Sequence, residues 1–183
     1  MKKTTKKLII LDRDGVINED LWGYVTNKKE FTPIEGSLEA IANLSKAGFL
    51  IVIATNQACI NKNIIEKKDL EEIHNYMIDL IEEAGGSIEF IAFCPHRPDE
   101  LCKCRKPEVG LLEKIEQSLG LSLKGSYFIG DKASDILCAE TFGCRPILVK
   151  TGYGAKTLQS ANFTGIEKVY DNLFSAVKDI LSL

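Results

Sequence analysis

Short, wholly apolar runs alternate along this chain with stretches in which apolar residues recur every three or four positions. The runs predict buried strands, and the three- and four-residue spacing predicts amphipathic helices. The predicted strands cover residues 8–11, 50–54, 88–93, 127–129 and 146–149, with a short one near Val169. The predicted helices run from an N-cap at Ser37 to about Gly48, from 66 to 84, from a first turn at Pro107 to Gly120, from the fourth strand to about Phe142, and from Asn172 onwards.

This alternation of strands and helices indicates the fold class. Strands that are apolar along their whole length are typical of a parallel sheet covered by helices on both faces. We therefore predict an α/β, Rossmann-like fold with three layers, α/β/α, around a central parallel sheet. The 183 residues fit a single domain over 1–183, since domains usually contain about 100–200 residues.

Composition and charge exclude several classes of protein. The chain is 45% hydrophobic and 27% charged, and no apolar run approaches the roughly 18 residues of a membrane span. The net charge of -3 argues against a basic surface for nucleic acid. The basic start, residues 1–7, is followed only by apolar Leu8–Leu11, which is too short for a signal peptide. We expect a cytoplasmic protein with neither a nucleic-acid nor a membrane partner.

Polar residues follow four of the predicted strands, where parallel sheets bind their ligands. Asp12 and Asp14 follow the first strand, Thr55 the second and Asp131 the fourth, while Lys106 comes after the third. This set of carboxylates, hydroxyl and cation suits phosphoryl transfer to a carboxylate with the help of Mg²⁺. We predict that these five residues form one site.

The residue types indicate a role for each member of this site. Asp12 would attack the phosphorus and form an aspartyl-phosphate, and Asp14 would protonate the leaving oxygen and then deprotonate water. Mg²⁺ between Asp12 and Asp131 would reduce the repulsion between nucleophile and phosphate. Thr55 and Lys106 would stabilise the transferring group.

Two further residues, Gly15 and Asp135, bear on the geometry of this predicted site. Residues two apart point to opposite faces of a strand, so the chain must turn at Asp14–Gly15 to aim both carboxylates at one substrate. Asp135 has three possible roles that the sequence leaves open. It could orient Lys132, orient the waters of the metal, or cap the following helix.

A second candidate metal site lies between the third strand and Lys106. Two close pairs across a short loop fit a tetrahedral, structural zinc site, with buried reduced thiols as the alternative. Because this loop runs directly into Arg105 and Lys106, zinc would fix the segment that presents these two cations. The predicted zinc ligands are Cys94, His96, Cys102 and Cys104.

Three other residues are interpreted from their position alone. His74 lies on a predicted helix among acidic residues, so we expect it to be exposed to solvent. Trp22 and Tyr24 follow the first motif in a loop. They would either pack at the edge of the core or form a wall of the substrate site.

These motifs resemble those of the haloacid-dehalogenase (HAD) superfamily of phosphatases. Leu8–Asn18 matches its first motif, Thr55 the second, Lys106 the third, and Gly130-Asp131 with Asp135 the fourth. The zinc loop and the sequence Cys-Arg-Lys-Pro at 104–107 narrow the resemblance to the heptose 1,7-bisphosphate 7-phosphatases. This resemblance covers nearly the whole chain.

The resemblance implies a monomeric, Mg²⁺-dependent phosphatase without a large cap domain, which would remove the C7 phosphate from a heptose precursor of surface polysaccharide. It implies that Mg²⁺ is held by Asp12, the Asp14 carbonyl and Asp131, and that zinc is held by the four predicted ligands. The residues expected to contact substrate are Arg13, Asp20, Tyr24, Asn56, Gln57, Arg105 and Lys132.

Two alternative functions remain open at this point. Histidinol-phosphate phosphatases share the chemistry, but their amino-alcohol substrate should need an anionic or polar subsite for its ammonium group, whereas Arg105 and Lys132 favour a second phosphate. The other alternative is a non-catalytic binding domain stabilised by zinc. Its best support is the segment Ala58–Asn63, where the resembling family usually has Ser-Gly followed by Arg-Gly.

Overall fold

The computed structural model describes residues 7–160 and 166–182 and contains a six-stranded parallel sheet. The order of the strands across the sheet is β3-β2-β1-β4-β5-β6. Both the strands and their parallel pairing agree with the prediction from the apolar runs. The strands are β1 (Lys7–Leu11), β2 (Phe49–Asn56), β3 (Phe90–Cys94), β4 (Tyr127–Gly130), β5 (Arg145–Val149) and β6 (Val169–Tyr170).

Helices cover both faces of the sheet and complete three layers. They are α1 (Ser37–Lys46), α2 (Lys67–Glu83), α3 (Gly110–Leu119), α4 (Ala133–Phe142), α5 (Gly154–Gln159) and α6 (Leu173–Ser182). One apolar cluster joins α1, α2 and α6 to Ile9 and Leu11 of β1. The other joins α3 and α4 to Leu8 and Ile10 of the same strand. Side chains along β1 therefore alternate between two cores, as the period of a strand requires.

The starts of α1 and α3 differ from the sequence prediction for physical reasons. Ser37 is the first residue of α1 rather than its N-cap, which is Gly36, and its hydroxyl donates a 2.7 Å hydrogen bond to the Ile17 carbonyl. The third helix begins at Gly110 and not at Pro107. The reason is that residues 105–108 form a turn, in which the Glu108 N–H donates to the Arg105 carbonyl.

The connections at the carboxyl end of the sheet are loops and short 3₁₀ turns, and the described residues form no separate cap domain. In the same residues no helix is long and apolar enough to cross a membrane. The basic start of the chain, residues 1–6, lies outside the described residues.

Candidate active site

The carboxyl ends of three neighbouring strands bring the predicted catalytic residues together. Asp12 follows β1, Thr55 lies near the end of β2, and Asp131 follows β4. The loop after β3 returns Lys106 to the same place, with its Nζ 3.0 Å from Asp12 Oδ1. All four side chains are buried, with at most 4% of any residue exposed. The structure therefore assembles one buried polar site at the edge that the sequence indicates.

Lys106 is held in this site by three oxygen atoms. Besides Asp12, its Nζ contacts Asp135 Oδ1 at 2.6 Å and the Ala54 carbonyl at 2.7 Å. Burial alone would lower the pKa of Lys106, but the two carboxylates outweigh burial and raise it above its usual value. The lysine is therefore a fixed positive charge. Asp135 also caps α4, because its Oδ2 accepts from the Lys132 N–H at 2.9 Å.

The two oxygens of Asp12 have different surroundings. Oδ1 accepts from the Arg13 N–H at 2.8 Å and from Lys106, whereas the described residues offer no donor to Oδ2. Burial raises the pKa of Asp12, the nearby Lys106 opposes this shift, and Asp135 adds to it. Oδ2 is therefore the oxygen available to react with a phosphate.

Asp131 supports a site for a divalent cation. Its Oδ2 accepts from the Tyr153 N–H at 2.8 Å, but its Oδ1 is buried and has no hydrogen-bond partner. Carboxylate oxygens of Asp12, Asp131 and Asp135 all lie within 4.8 Å of one another. Burial and the neighbouring carboxylates raise the pKa of Asp131 to about 8. Closely spaced carboxylates with an unpaired buried oxygen fit Mg²⁺, whose charge would offset their repulsion.

Asp14 lies in a cradle of donors. Arg13 Nη2 donates to both of its oxygens, at 2.8 and 2.9 Å. The Asn18 and Gln57 amides donate to one oxygen each, at 2.9 and 2.8 Å. Burial opposes ionisation, but Arg13 and these hydrogen bonds outweigh it and lower the pKa of Asp14. The cradle therefore favours the carboxylate form.

The chain turns after Asp14 as the sequence requires. Gly15 has a φ of 80°, and a Cβ at this position would overlap the Asp131 carboxylate. A side chain at residue 15 would therefore be strained and would also displace a candidate metal ligand. Both reasons favour glycine here.

The structure corrects two expectations about residues near Asp14. His74 is buried, with 7% of its surface exposed, and its Nε2 lies 3.3 Å from Arg13 Nη1, so the prediction of an exposed histidine was wrong. Position 74 belongs to the apolar stripe of α2, four residues after Leu70 and three before Met77, and this spacing was the available signal. Arg13 was expected to contact substrate, but its side chain is fully buried between Asp14 and His74.

Asn56 and Gln57, also expected at the substrate, make internal contacts through their side-chain amides. The Asn56 amide accepts from the Lys106 N–H and donates to its carbonyl, both at 3.1 Å. Gln57 is 1% exposed and donates to Thr55 Oγ1 at 2.9 Å as well as to Asp14. Both amides therefore position their neighbours, and the hydroxyl hydrogen of Thr55 remains free to donate.

A rim of charged and aromatic side chains surrounds this polar site. Lys132 Nζ pairs with Asp20 Oδ2 at 2.9 Å and lies 4.6 Å from the centre of the Tyr153 ring. Trp22 packs edge-on against Tyr153, with ring centres 4.6 Å apart, and is 57% exposed. This exposure supports the interpretation of Trp22 as a wall rather than a core residue. Tyr24 is half-buried, beside Lys62.

The predicted zinc ligands meet at the end of β3. The sulfur of Cys94 lies 3.1 Å from Cys104 and 3.6 Å from Cys102, and His96 Nδ1 lies 3.2 Å from Cys104. Tetrahedral zinc with bonds of about 2.3 Å holds its sulfur ligands roughly 3.8 Å apart. All three cysteines are free, and the cluster is slightly tighter than that geometry. It therefore has the composition and nearly the size of a closed zinc site.

Arg105 donates two hydrogen bonds to residues of this cluster. Its N–H donates to Cys102 Sγ at 3.3 Å, and its Nη1 donates to the His96 carbonyl at 3.2 Å. Lys106 has in addition the bonds to Asn56 and the carboxylates described above. The cluster consequently controls the position of Arg105 more directly than that of Lys106.

A parallel α/β sheet with two carboxylates after β1, a hydroxyl on β2, a buried lysine and an acidic pair at β4 defines an HAD-type hydrolase. A family model described as HAD-hydrolase-like matches residues 103–176. The chain is 41% identical over 178 residues to the D-glycero-beta-D-manno-heptose-1,7-bisphosphate 7-phosphatase of Pseudomonas putida, covering 96% of this chain and 99% of that one. It is 42% identical over 152 residues to the enzyme of the same name from Neisseria meningitidis, covering 83% of this chain and 81% of that one.

A solved structure agrees with these relatives. The crystal structure of the D,D-heptose 1,7-bisphosphate phosphatase from B. bronchiseptica, complexed with magnesium and phosphate, superimposes with a TM-score of 0.92 at 38% identity. The match covers 96% of this chain and 98% of that one. The chain belongs to the D-glycero-D-manno-heptose-1,7-bisphosphate 7-phosphatase family.

Proposed function

We propose that this protein is a magnesium-dependent phosphatase that hydrolyses the C7 phosphate of D-glycero-D-manno-heptose 1,7-bisphosphate. The observation that carries the proposal is the buried arrangement of Asp12, Lys106 and Asp131 at the carboxyl edge of the sheet. The proposed substrate is taken from the relatives named for this reaction, which are 41 and 42% identical to this chain.

The first half of the reaction transfers the phosphoryl group to Asp12. Oδ2 attacks the phosphorus, and the bond from phosphorus to the C7 oxygen breaks. Asp14, which must be protonated for this step although its surroundings favour the carboxylate, gives a proton to the leaving oxygen. The Thr55 hydroxyl and the Lys106 ammonium hold the oxygens of the transferring group through hydrogen bonds and charge. The products of this half are the heptose monophosphate and an aspartyl-phosphate.

The second half returns the enzyme to its starting state. Asp14, now a carboxylate, takes a proton from water as the water oxygen attacks the phosphorus. The bond between phosphorus and Asp12 Oδ2 breaks, which releases inorganic phosphate and the free carboxylate. The cradle of Arg13, Asn18 and Gln57 supports this half, because it stabilises the carboxylate form of Asp14.

We assign the magnesium ion to Asp12, the Asp14 carbonyl and Asp131. When bound, Mg²⁺ supplies positive charge that offsets repulsion between the phosphate and these carboxylates. The unpaired Oδ1 of Asp131 and the presence of magnesium in the B. bronchiseptica crystal structure support this assignment. We assign structural zinc to the Cys/His cluster, on the support of its ligand set and spacing.

The rim favours a substrate with a second phosphate. Arg105 supplies positive charge, and Lys132 and Asp20 are paired with each other, so the Asp20 carboxylate is not free to bind an ammonium group. This pairing disfavours histidinol phosphate. We infer from the sequence that the protein acts in the cytoplasm as a monomer on this small sugar phosphate.

Phosphate release with Mg²⁺ from both anomers of heptose 1,7-bisphosphate and from histidinol phosphate tests the proposal. We expect a strong preference for a heptose anomer, and loss of activity in an Asp12→Asn enzyme that keeps its fold, as judged by its circular dichroism spectrum. A preference for histidinol phosphate would keep the chemistry and replace the substrate. No release from any of the three substrates would overturn the proposal.

A further inference from the structure

A buried histidine lies directly behind the arginine that holds Asp14. His74 is on α2, Arg13 follows β1, and the two meet with His74 Nε2 3.3 Å from Arg13 Nη1. Neither side chain is accessible, because Arg13 is 0% and His74 7% exposed. The reaction steps above give His74 no task.

The environment of His74 makes it a hydrogen-bond acceptor for Arg13. Burial, with a contribution from the charge of Arg13, lowers the pKa of His74 to about 3, so its ring is neutral. A guanidinium has only donors, so Nε2 must be the acceptor in this pair. Phe93 of β3 packs edge-on against the ring, with centres 6.1 Å apart, and restricts its orientation.

The contacts of Arg13 divide between two partners. Nε and Nη2 donate to the Asp14 carboxylate, at distances from 2.8 to 3.2 Å, while Nη1 is directed to His74. The guanidinium is planar and rigid, so holding its Nη1 edge also sets the direction of the edge that faces Asp14. His74 is therefore connected to Asp14 through Arg13.

We propose that His74 is a positioning residue for catalysis, which fixes Arg13 and through it the Asp14 carboxylate. The inference rests on the proposed function, in which Asp14 transfers protons in both halves of the reaction. His74 is buried and contacts the site only through Arg13, so we expect the effect to concern turnover rather than substrate binding.

The test compares two replacements of His74. His74→Leu fills much of the volume but leaves Arg13 Nη1 without its acceptor, and we expect kcat to fall about tenfold with KM changed by less than about twofold. His74→Gln places an amide oxygen near the position of Nε2, and we expect it to restore kcat to within about threefold of the wild type. Ile73→Val, a neighbouring buried change on α2 without a polar group, is the matched control and should leave kcat unchanged.

A double-mutant cycle separates positioning from general loss of structure. In an Asp14→Asn background, His74→Leu should reduce kcat no further, because the residue through which it acts is already altered. Equal losses in the Leu and Gln variants, or the same loss in both backgrounds, would overturn this inference while leaving the phosphatase proposal intact. A wild-type enzyme without phosphatase activity would overturn both.

Discussion

Replacing Lys106 with methionine removes one positive charge from the centre of the proposed site. The ammonium lies 3.0 Å from Asp12 and 2.6 Å from Asp135, and only 1% of the side chain is exposed. Methionine keeps an unbranched apolar chain beside Phe128, whose ring centre is 5.5 Å from Nζ. The substitution therefore tests the charge more than the packing.

The burial of this ion pair determines how much stability and activity the substitution should cost. Removing one partner of a buried ion pair usually costs about 3–5 kcal/mol, because the remaining charge is left uncompensated. For a chain of this length that corresponds to a fall in melting temperature of about 6–20 °C. Lys106 also opposes the raised pKa of Asp12, so its loss raises that pKa further and weakens the nucleophile. With the lost stabilisation of the phosphoryl group, we expect kcat to fall about 10²–10³-fold.

Steady-state phosphate release and thermal unfolding measure these two effects on the same preparation. Lys103→Met is the matched control, because Lys103 is an exposed residue of the same loop and its loss should change neither quantity. A Lys106→Met enzyme that keeps kcat within about fivefold of the wild type would refute the electrostatic role given to this lysine.

Three further predictions concern the metals and the turn at Gly15. Zinc loss through Cys102→Ser, checked by metal analysis, should raise KM more than it lowers kcat, because Arg105 is held by hydrogen bonds to Cys102 and His96 of the cluster. Unchanged kinetics without zinc would contradict this. In Mg²⁺-free protein, Asp131 stabilises the fold only while protonated. Because the pKa of Asp131 is raised, this contribution to stability is present below about pH 4 and is lost as the pH rises through about 8. The melting temperature should therefore fall between about pH 4 and pH 8, and added Mg²⁺ should reduce this fall. A melting temperature that rises over the window would oppose this reasoning. Gly15→Ala should abolish activity. Gly48 is the control, because it has a φ of 82° and no atom lies within 4 Å of a Cβ placed there, so Gly48→Ala should lose only stability, by about 1–2 kcal/mol. Similar activities in the two variants would argue against the crowding at Gly15.

Much of the site follows from the sequence because the ends of parallel strands are fixed by the apolar runs. Once Leu8–Leu11 and residues 127–129 are neighbouring strands, Asp12 and Asp131 must lie at one edge. The pairing of Leu11 with Ile129 places these two carboxylates side by side. The Cys/His cluster could also be predicted, because its four residues are close along the chain.

The contacts between distant elements could not be predicted in this way. Arg13 and His74 are 61 residues apart, and only the packing of α2 against the sheet brings them together. The acidic neighbours of His74 suggested a solvated face, although its spacing from Leu70 and Met77 indicated the buried one. The hydrogen bonds between the Asn56 amide, at the end of β2, and the backbone of Lys106 join residues 50 positions apart, so nothing in the sequence indicated them.

Trapping the covalent intermediate tests most directly whether Asp12 accepts the phosphoryl group. Wild-type enzyme would be mixed rapidly with heptose 1,7-bisphosphate and Mg²⁺, quenched in acid during turnover, digested and analysed by mass spectrometry, with Asp12→Asn as the control. We expect one added phosphoryl group on Asp12 in the wild type and none on this peptide in the control. Phosphate release by the wild type without any phosphorylated Asp12 peptide, or phosphorylation that persists in Asp12→Asn, would contradict this expectation.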